Sequence, residues 1–426
     1  MTLTRLPSRQ TSRASRLAFH WRARGRSLTP LTAQTPTFAR TTASGLVPGY
    51  DGVLVPARAR DTWVWGGADL DADGIYERAA LRLEGQRTNL VLRSQEFDNA
   101  SWAKSLVTVS NTTLTAPDAS ASADRLTATG AAGTVRQSVT FTGNATKAIS
   151  LYVKVGSGAV AHFGLWDDTA SAWRHKAAIT WTAGVPALST DSGAGTLYPV
   201  VKLADGWYRI AIGADGVIAA NTNYFYVYPD FNGTTGNMLV WGAQAEDATF
   251  PSSYVPTAGS TVTRNADDLY WAFGARPQAL TLYANLATRT PSAAVSDLGI
   301  CAIGGQTAGG SIGQLFVTSH NNQVLIYLGN GSAGASAGLA ATFNPGDQLE
   351  VRAVLNSDGS GKIGRSINAG AETTNTVAAP TGGLGSTWNA ERIYLISATT
   401  AHFCDYLDYK VALGAEKSLA SMRSLW

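Results

Sequence analysis

Two groups of residues in this chain have types and spacings suited to holding a sugar. Trp166, Asp167, Asp168, Trp173 and Arg174 form a short cluster of aromatic and polar side chains. Tyr224, Tyr226 and Tyr228 alternate with Phe225 and Val227, so a strand through them carries three tyrosines on one face. A sugar presents apolar C–H faces and a rim of hydroxyls. Aromatic rings suit the first, and carboxylates, amides and guanidinium groups suit the second. Trp166, Asp168, Trp173, Arg174, Tyr224 and Tyr226 are therefore the candidate carbohydrate-binding residues, although each type also serves in ordinary packing. The spacing predicts a loop at Trp166–Trp173 and a strand at Asn223–Tyr228.

Catalytic patterns are weaker. Glycoside hydrolysis needs two carboxyl groups about 5–10 Å apart, which on one strand means acids two or four residues apart. Glu350 has no such partner, Asp405 and Asp408 differ by three, and Glu246 and Asp247 are adjacent. The five histidines are scattered without zinc spacing, and no nucleophile elbow or phosphate loop occurs. No enzymatic activity is expected. Asp69, Asp71 and Asp73 precede Gly74 at alternate positions, as in calcium loops, but Ala80 stands where an EF-hand needs its glutamate. A looser structural calcium turn is the one metal site the sequence suggests. No other cofactor is expected.

The elements that must position these residues are short strands. Of 426 residues, 45% are hydrophobic but only 15% charged, with 44 glycines. Low charge with abundant Gly and Thr disfavours coiled coils and long surface helices. Twelve Trp, 15 Tyr and 12 Phe need a core, which excludes general disorder. No run of 18 apolar residues occurs, so no membrane-spanning helix and no membrane insertion are expected. Two cysteines, Cys301 and Cys404, do not make a disulfide framework, and a single pairing between them stays open.

Charge is uneven along the chain. Residues 1–50 hold eight arginines (Arg5, Arg9, Arg13, Arg16, Arg22, Arg24, Arg26 and Arg40) and no acid, so the remainder of a chain of net charge +3 is mildly acidic. The segment lacks the apolar stretch of a secretory signal. Its Arg- and Ser-rich, acid-poor make-up fits a transit peptide, a solvated flexible tail, or a basic arm packing on a partner surface. The arm reading is preferred, with Arg5, Arg9, Arg13, Arg16, Arg22, Arg24 and Arg26 as anchoring residues. No nucleic-acid motif accompanies them, and DNA contact is not expected.

Three regions follow: a basic extended arm and anchoring segment over 1–90, a first set of strands over 91–267, and a second over 268–426. Runs such as Val135–Phe141, Ile149–Val155, Met238–Gln244 and Gln348–Leu355 are β-rich and separated by Gly, Asn, Asp and Ser clusters. Asn330-Gly331 and Asp358-Gly359 are hairpin turn signals. A short amphipathic helix is expected near 415–425. The fold class is all-β: an extended Arg-rich arm plus two antiparallel β-sandwich, jelly-roll-like domains.

A set of motifs occurs in a definite order. Leu83-Glu84-Gly85-Gln86-Arg87-Thr88-Asn89-Leu90 is followed by Ala123-Asp124-Arg125-Leu126, Asp205-Gly206-Trp207-Tyr208-Arg209, Gln244-Ala245-Glu246, Ser253-Tyr254-Val255-Pro256-Thr257 and Thr263-Arg264-Asn265-Ala266-Asp267. Together they resemble a module of structural proteins from tailed bacteriophages and prophages. Residues 268–426 are similar, more distantly, to a concanavalin- or laminin-G-like sandwich. The resemblance implies a carbohydrate-binding-module-like jelly roll over roughly 36–270, opened by the first motif and closed by the last two. It implies a virion location: tail fibre, tail tip or head spike, held by other virion proteins through the arm. It further implies attachment to host cell-surface polysaccharide and a homo-oligomer, a trimer being favoured. The alternatives are a capsid or tail decoration protein without ligand, and a carbohydrate-active enzyme or lectin.

Overall fold

The computed structural model describes residues 84–111, 114–272, 279–288 and 298–382 with short breaks. It also describes short pieces at 17–22, 37–39, 45–48, 53–56, 63–65, 79–82, 392–396 and 404–413, and residues 292, 420 and 422. The chain forms two compact units. One comprises Thr41–Glu77 and Gln86–Asn265; the other comprises Met1–Arg40, Arg78–Gly85 and Ala266–Trp426. The segment 1–90 is thus shared between the two units.

The 86–265 unit is an antiparallel sandwich. One sheet runs in the order Gly195–Leu197, Tyr208–Val217, Ala145–Lys154, Asn237–Glu246, Asp124–Ala128, Val107–Asn111. The other runs Val185–Gly193, Ala172–Thr182, Val160–Asp167, Asn223–Tyr228, Thr134–Val139, Ala103–Ser105. Neighbours in each sheet are mostly distant in sequence, as a jelly roll requires. Ile149, Leu151, Val153, Ile210, Ile212 and Val240 from the first sheet pack against Val135, Phe163, Leu165, Ile179, Phe225 and Val227 from the second. Trp102 stacks on Phe97 with ring centroids 4.5 Å apart and closes this core at one end.

The two outer faces differ. In the first sheet Tyr152, Leu239 and Trp241 point away from the central core and form a second cluster with Leu54, Ala116, Ala123, Leu203, Trp207 and Tyr254. The hairpin of Leu46–Pro48 and Leu54–Pro56 contributes to that cover through Leu54 and Leu46, and is tied down by Leu46 N–H donating to Tyr254 O at 2.7 Å. Ala145–Lys154 and Asn237–Glu246 are consequently buried on both faces. Asn223–Tyr228 instead alternates between buried and half-buried residues along most of its length.

The ordered motifs lock the unit shut. Asn89 is buried, and its side-chain NH2 donates to Ala243 O at 3.1 Å and Val255 O at 2.8 Å. Its amide oxygen accepts from Val91 N–H at 3.1 Å and Ala245 N–H at 3.2 Å. Ser94 Oγ lies 2.7 Å from the Tyr254 hydroxyl, and Thr257 Oγ1 donates to Val91 O at 2.6 Å. Gln244 Oε1 accepts from Val255 N–H at 2.7 Å, and Arg87 faces Glu246 at 4.0 Å. Arg87–Asn89 pairs with Val262–Arg264, so the opening and closing segments form one two-stranded ribbon. Trp207 is a core residue whose indole N–H donates to Thr115 O at 2.9 Å.

The carboxy-terminal unit has two antiparallel sheets. One contains Thr373–Val377, Gly361–Ile367, Gln348–Leu355, Leu280–Thr288 and Cys404–Leu413 in that order. The other runs Thr37–Ala39, Asp268–Ala272, Arg392–Ile396, Leu298–Thr307, Gly310–His320, Gln323–Gly329, Gly334–Ala340. The Asp358-Gly359 signal is a turn: Gly359 takes a φ of +84° and Ser360 N–H returns to Asp358 Oδ1 at 2.9 Å. Parts of the expected arm are strands here. Leu17–Arg22 pairs with Cys404–Leu413, setting Arg22 opposite Asp408, and Thr37–Ala39 pairs with Asp268–Ala272. Arg5, Arg9, Arg13, Arg16, Arg24 and Arg26 lie outside the described residues, as do the side chains of Arg22, Cys301 and Cys404 and the turn at Asn330-Gly331. Of the expected closing helix, Ala420 and Met422 are described, both helical, with Met422 buried. Among the described residues no helix is long and apolar enough to cross a membrane.

Two stability predictions follow from these locks. Replacing Asn89 with Ala strands two carbonyls and two N–H groups in the interior, and we expect a loss of about 2–4 kcal/mol in urea unfolding. Asp124 is buried; desolvation pushes its carboxyl up to about 6, against the bond it accepts from Phe97 N–H at 2.7 Å. The folded state therefore holds its proton more tightly than the unfolded chain does. Stability from this group is complete below about pH 4 and is lost, by on the order of 2 kcal/mol, as pH rises through 6. Asp124→Asn should flatten the pH dependence of the unfolding midpoint between pH 4 and 7; an unchanged slope would assign that dependence to other groups.

Candidate functional site

The outer face of the second sheet in the 86–265 unit carries the candidate residues. Cross-strand register places Trp166 beside Tyr224 and Trp173, Gly164 beside Tyr226 and Lys176, and His162 beside Tyr228. Arg136 lies opposite Tyr226 on the next strand. Because inward Phe163, Leu165, Phe225 and Val227 fill the core, their odd-and-even partners must point outward. Trp166 and Trp173 are thus strand residues flanking a hairpin, where the sequence predicts a loop. The register shift between Leu165 and Trp166 keeps Trp173 on the same face as Trp166.

Six rings make a continuous belt. Trp166 and Trp173 have centroids 5.2 Å apart, Trp173 and Tyr226 5.4 Å, and Tyr224 and Tyr226 6.2 Å. Tyr226 and Tyr228 lie nearly parallel, 9° between planes, and Tyr228 meets Phe231 at 5.2 Å. Trp166, Trp173, Tyr224, Tyr226 and Phe231 are half-buried, leaving ring surface open to solvent. Gly164 sits in the floor of this belt. A Cβ there would lie 2.6 Å from His175 O and 2.8 Å from the Lys176 Cα. Only glycine lets the strand of Gly164 approach the strand of Lys176 this closely.

Two cations brace the rings. The Arg136 guanidinium stands 4.7 Å from the Tyr224 centroid and 5.4 Å from that of Tyr226, and donates to the Tyr226 hydroxyl. Lys176 Nζ lies 4.5 Å from the Phe231 centroid and 5.1 Å from that of Trp173, and pairs with Asp191 at 2.6 Å. The Lys176 hydrogen bond holds the Asp191 carboxyl below its ordinary range. His162 is 3.8 Å from Asp191, yet burial pushes its imidazole down, towards the neutral form.

The two polar candidates of the cluster differ from the rings. Asp168 is exposed and accepts from the Trp166 indole N–H at 3.1 Å, which orients that ring. Arg174 is committed to Asp167, with N–O distances of 3.0 and 2.5 Å. Burial pushes the Asp167 carboxyl up. Ala170 N–H, Arg174 and Asn221, which donates at 2.7 Å, more than offset this and hold it below its ordinary range. Arg174 therefore fastens the hairpin that carries the two tryptophans. The sequence reading left out Arg136, Gly164, Lys176 and Phe231; period-two alternation marks the side of the first three on their strands, but only pairing identifies the face, and Phe231 lies in the bend after Tyr228 where no alternation applies.

The acids stand as follows. Glu246 is buried and accepts from Ser252 N–H at 3.0 Å, and Asp247 pairs with Lys147 at 2.5 Å. Glu350 and Asp408 both lie opposite Asn285, on neighbouring strands to either side, a relation their sequence positions hide. Glu350 is buried and accepts from the Tyr283 hydroxyl at 2.7 Å, which keeps it from an external substrate. Asp69, Asp71 and Asp73 lie outside the described residues, and among the described residues no three His, Cys, Asp or Glu are grouped to hold a metal ion.

Gly164→Ala should force apart strands whose backbone cannot give way. We expect a loss of about 1–3 kcal/mol by chemical unfolding, and a change in Trp166 and Trp173 fluorescence.

No protein-family model matches the chain. No curated protein matches it either. Among solved structures, the LG1–3 region of the laminin α2 chain is similar at 15% identity and a TM-score of 0.26, over 66% of this chain and 68% of that one. Domains LG4–5 of the mouse laminin α1 chain are similar at 11% identity and a TM-score of 0.24, over 66% of this chain and 87% of that one. Scores this low require no more in common than layered β-sheets.

Proposed function

We propose that the 86–265 unit is a carbohydrate-binding module and that the chain is a structural protein of a tailed bacteriophage or phage-like particle. The observation that carries the binding reading is the assembly of Trp166, Trp173, Tyr224 and Tyr226, from three neighbouring strands, on one half-exposed sheet face. Their rings offer apolar platforms to pyranose C–H faces, while Asp168 and the tyrosine hydroxyls reach the sugar rim. The virion reading is supported by the ordered motifs between Leu83 and Asp267 and by the Arg-rich first 50 residues. In this reading the chain sits in a tail fibre, tail tip or head spike, its basic segment against other virion proteins, and meets host surface polysaccharide as a homo-oligomer, a trimer being favoured. A shallow face of this kind binds one chain weakly, and several copies presented together raise the affinity by avidity.

A second reading is a decoration protein without ligand. It is favoured by the role of the motif residues: Asn89, Ser94, Gln244, Tyr254 and Thr257 are all spent on internal hydrogen bonds.

The deciding measurement is sedimentation of the full-length protein with polysaccharides isolated from bacterial envelopes. We expect saturable binding that falls at least tenfold in Trp166→Ala and in Trp173→Ala, each variant being checked by circular dichroism and thermal unfolding. Binding unaffected by either change would move the site elsewhere. No binding to any polysaccharide, even with the protein forced into a trimer, would favour the ligand-free decoration protein.

A further inference from the structure

The charges on the aromatic face are not balanced alike. Lys176 is 8% exposed in its side chain, lies between Phe231 and Trp173, and is neutralised by Asp191 at 2.6 Å. Its charge is spent inside the protein. Arg136 is different. Its guanidinium stands 4.7 Å from the Tyr224 centroid and 5.4 Å from that of Tyr226, the residue is half-buried, and it has no carboxylate within 4.0 Å among the described residues. One of its five N–H groups goes to the Tyr226 hydroxyl. Asp168 is the acid that acts on it from further off, and its Oδ1 already accepts from the Trp166 indole. A guanidinium held against two rings and bonded to the Tyr226 hydroxyl has lost rotamer freedom, so it is preorganised. Its planar fork matches a carboxylate through two parallel hydrogen bonds. The fork stands at one end of the belt whose other rings would lie under the sugar.

Resting on the carbohydrate reading above, we infer that this face selects acidic polysaccharide: a chain of uronic acid residues whose carboxylates meet Arg136 while the pyranose faces lie on Trp173 and Tyr226. A neutral glycan leaves the Arg136 donors to water. An acidic glycan replaces that water with a charge-assisted pair beside low-dielectric rings, where such a pair is strongest.

The test uses the full-length protein and six probes: polygalacturonate, alginate and hyaluronate, and the carboxyl-reduced form of each, in which every uronate has become a neutral hexose on the same backbone. Binding is followed by calorimetry or sedimentation at low and physiological salt. The expected result is at least about tenfold tighter binding to one or more acidic polymers than to their reduced forms. Arg136→Gln, which keeps a planar polar group beside Tyr224, should bring the acidic polymer down to the affinity of its reduced form, a larger loss than any it causes for the reduced form itself. Trp173→Ala should weaken both. Equal affinity for the acidic and reduced forms, or a preference that survives Arg136→Gln, overturns acidic selection and leaves the carbohydrate reading standing. Absence of binding to every polymer, acidic and neutral, overturns both. Tight binding of single-stranded oligothymidylate that depends on Trp173 and Arg136 would assign the face to nucleic acid and overturn both as well.

Discussion

The four hydrogen bonds of the Asn89 side chain are the constraint on which the 86–265 unit depends. A strand order in which most neighbours are far apart in sequence leaves the entry and exit of the unit to be held by something other than chain connectivity. Asn89 does this from the entry side: its amide donates to Ala243 and Val255 and accepts from Val91 and Ala245. A buried amide with all four positions filled is favourable only in one register, because a slip of one residue would leave donors and acceptors stranded. Ser94, Tyr254 and Thr257 repeat the arrangement a few residues further along, where three hydroxyls and two backbone groups satisfy one another. The ribbon of Arg87–Asn89 with Val262–Arg264 then completes the closure.

With the ends held, the two sheets are free to take different outer faces. One is roofed by the hairpin at 46–56 and the segment near 114–123, so Tyr152, Trp207, Trp241 and Tyr254 are core residues despite lying outside the sandwich. Their polar tips are satisfied there: the Trp207 indole by Thr115, that of Trp241 by Ser122, and the Tyr254 hydroxyl by Ser94. The other face has rings in similar number but, among the described residues, no such roof. Its stability comes from lateral contacts, ring against ring and cation against ring, which are individually worth about 0.5–1.5 kcal/mol. A sheet whose outer aromatics brace each other sideways keeps a rigid platform that remains open to a ligand.

Charge adds direction to that platform. Asp191 neutralises Lys176 and lies near a His162 that burial keeps towards neutrality, so this end of the belt presents aromatic surface with little net charge. At the other end Arg136 lies over the tyrosines without a carboxylate in ion-pair range among the described residues. The hairpin between the tryptophans is kept apart from this balance by Asp167, which draws Arg174 and Asn221 inward. One acid thus fixes the loop and another, Asp168, orients the ring beside it.

Much of this was legible in the residues. Low charge, frequent Gly and Thr, and short β-rich runs between turn signals determined an all-β chain of sandwich type. The alternation of Tyr224, Tyr226 and Tyr228 with Phe225 and Val227 determined which residues of that strand face outward, because side chains on a strand repeat every two residues. Residues of the ordered motifs such as Asn89, Tyr254 and Thr257 are internal locks, a role that could not be read from the motifs themselves. Only the tertiary structure decided which strands are neighbours. Pairing between distant segments brought Arg136, Gly164 and Trp173 beside Tyr226, and set Glu350 and Asp408 to either side of Asn285. It also decided that pieces of the Arg-rich segment are strands of the carboxy-terminal unit, and that one aromatic sheet face is roofed while the rings of the other stay half-buried. The physical reason is that alternation is a local property of the backbone, written in consecutive residues. Cross-strand register and the covering of a face come from hydrogen bonds and packing between segments tens to hundreds of residues apart, and no local pattern encodes those.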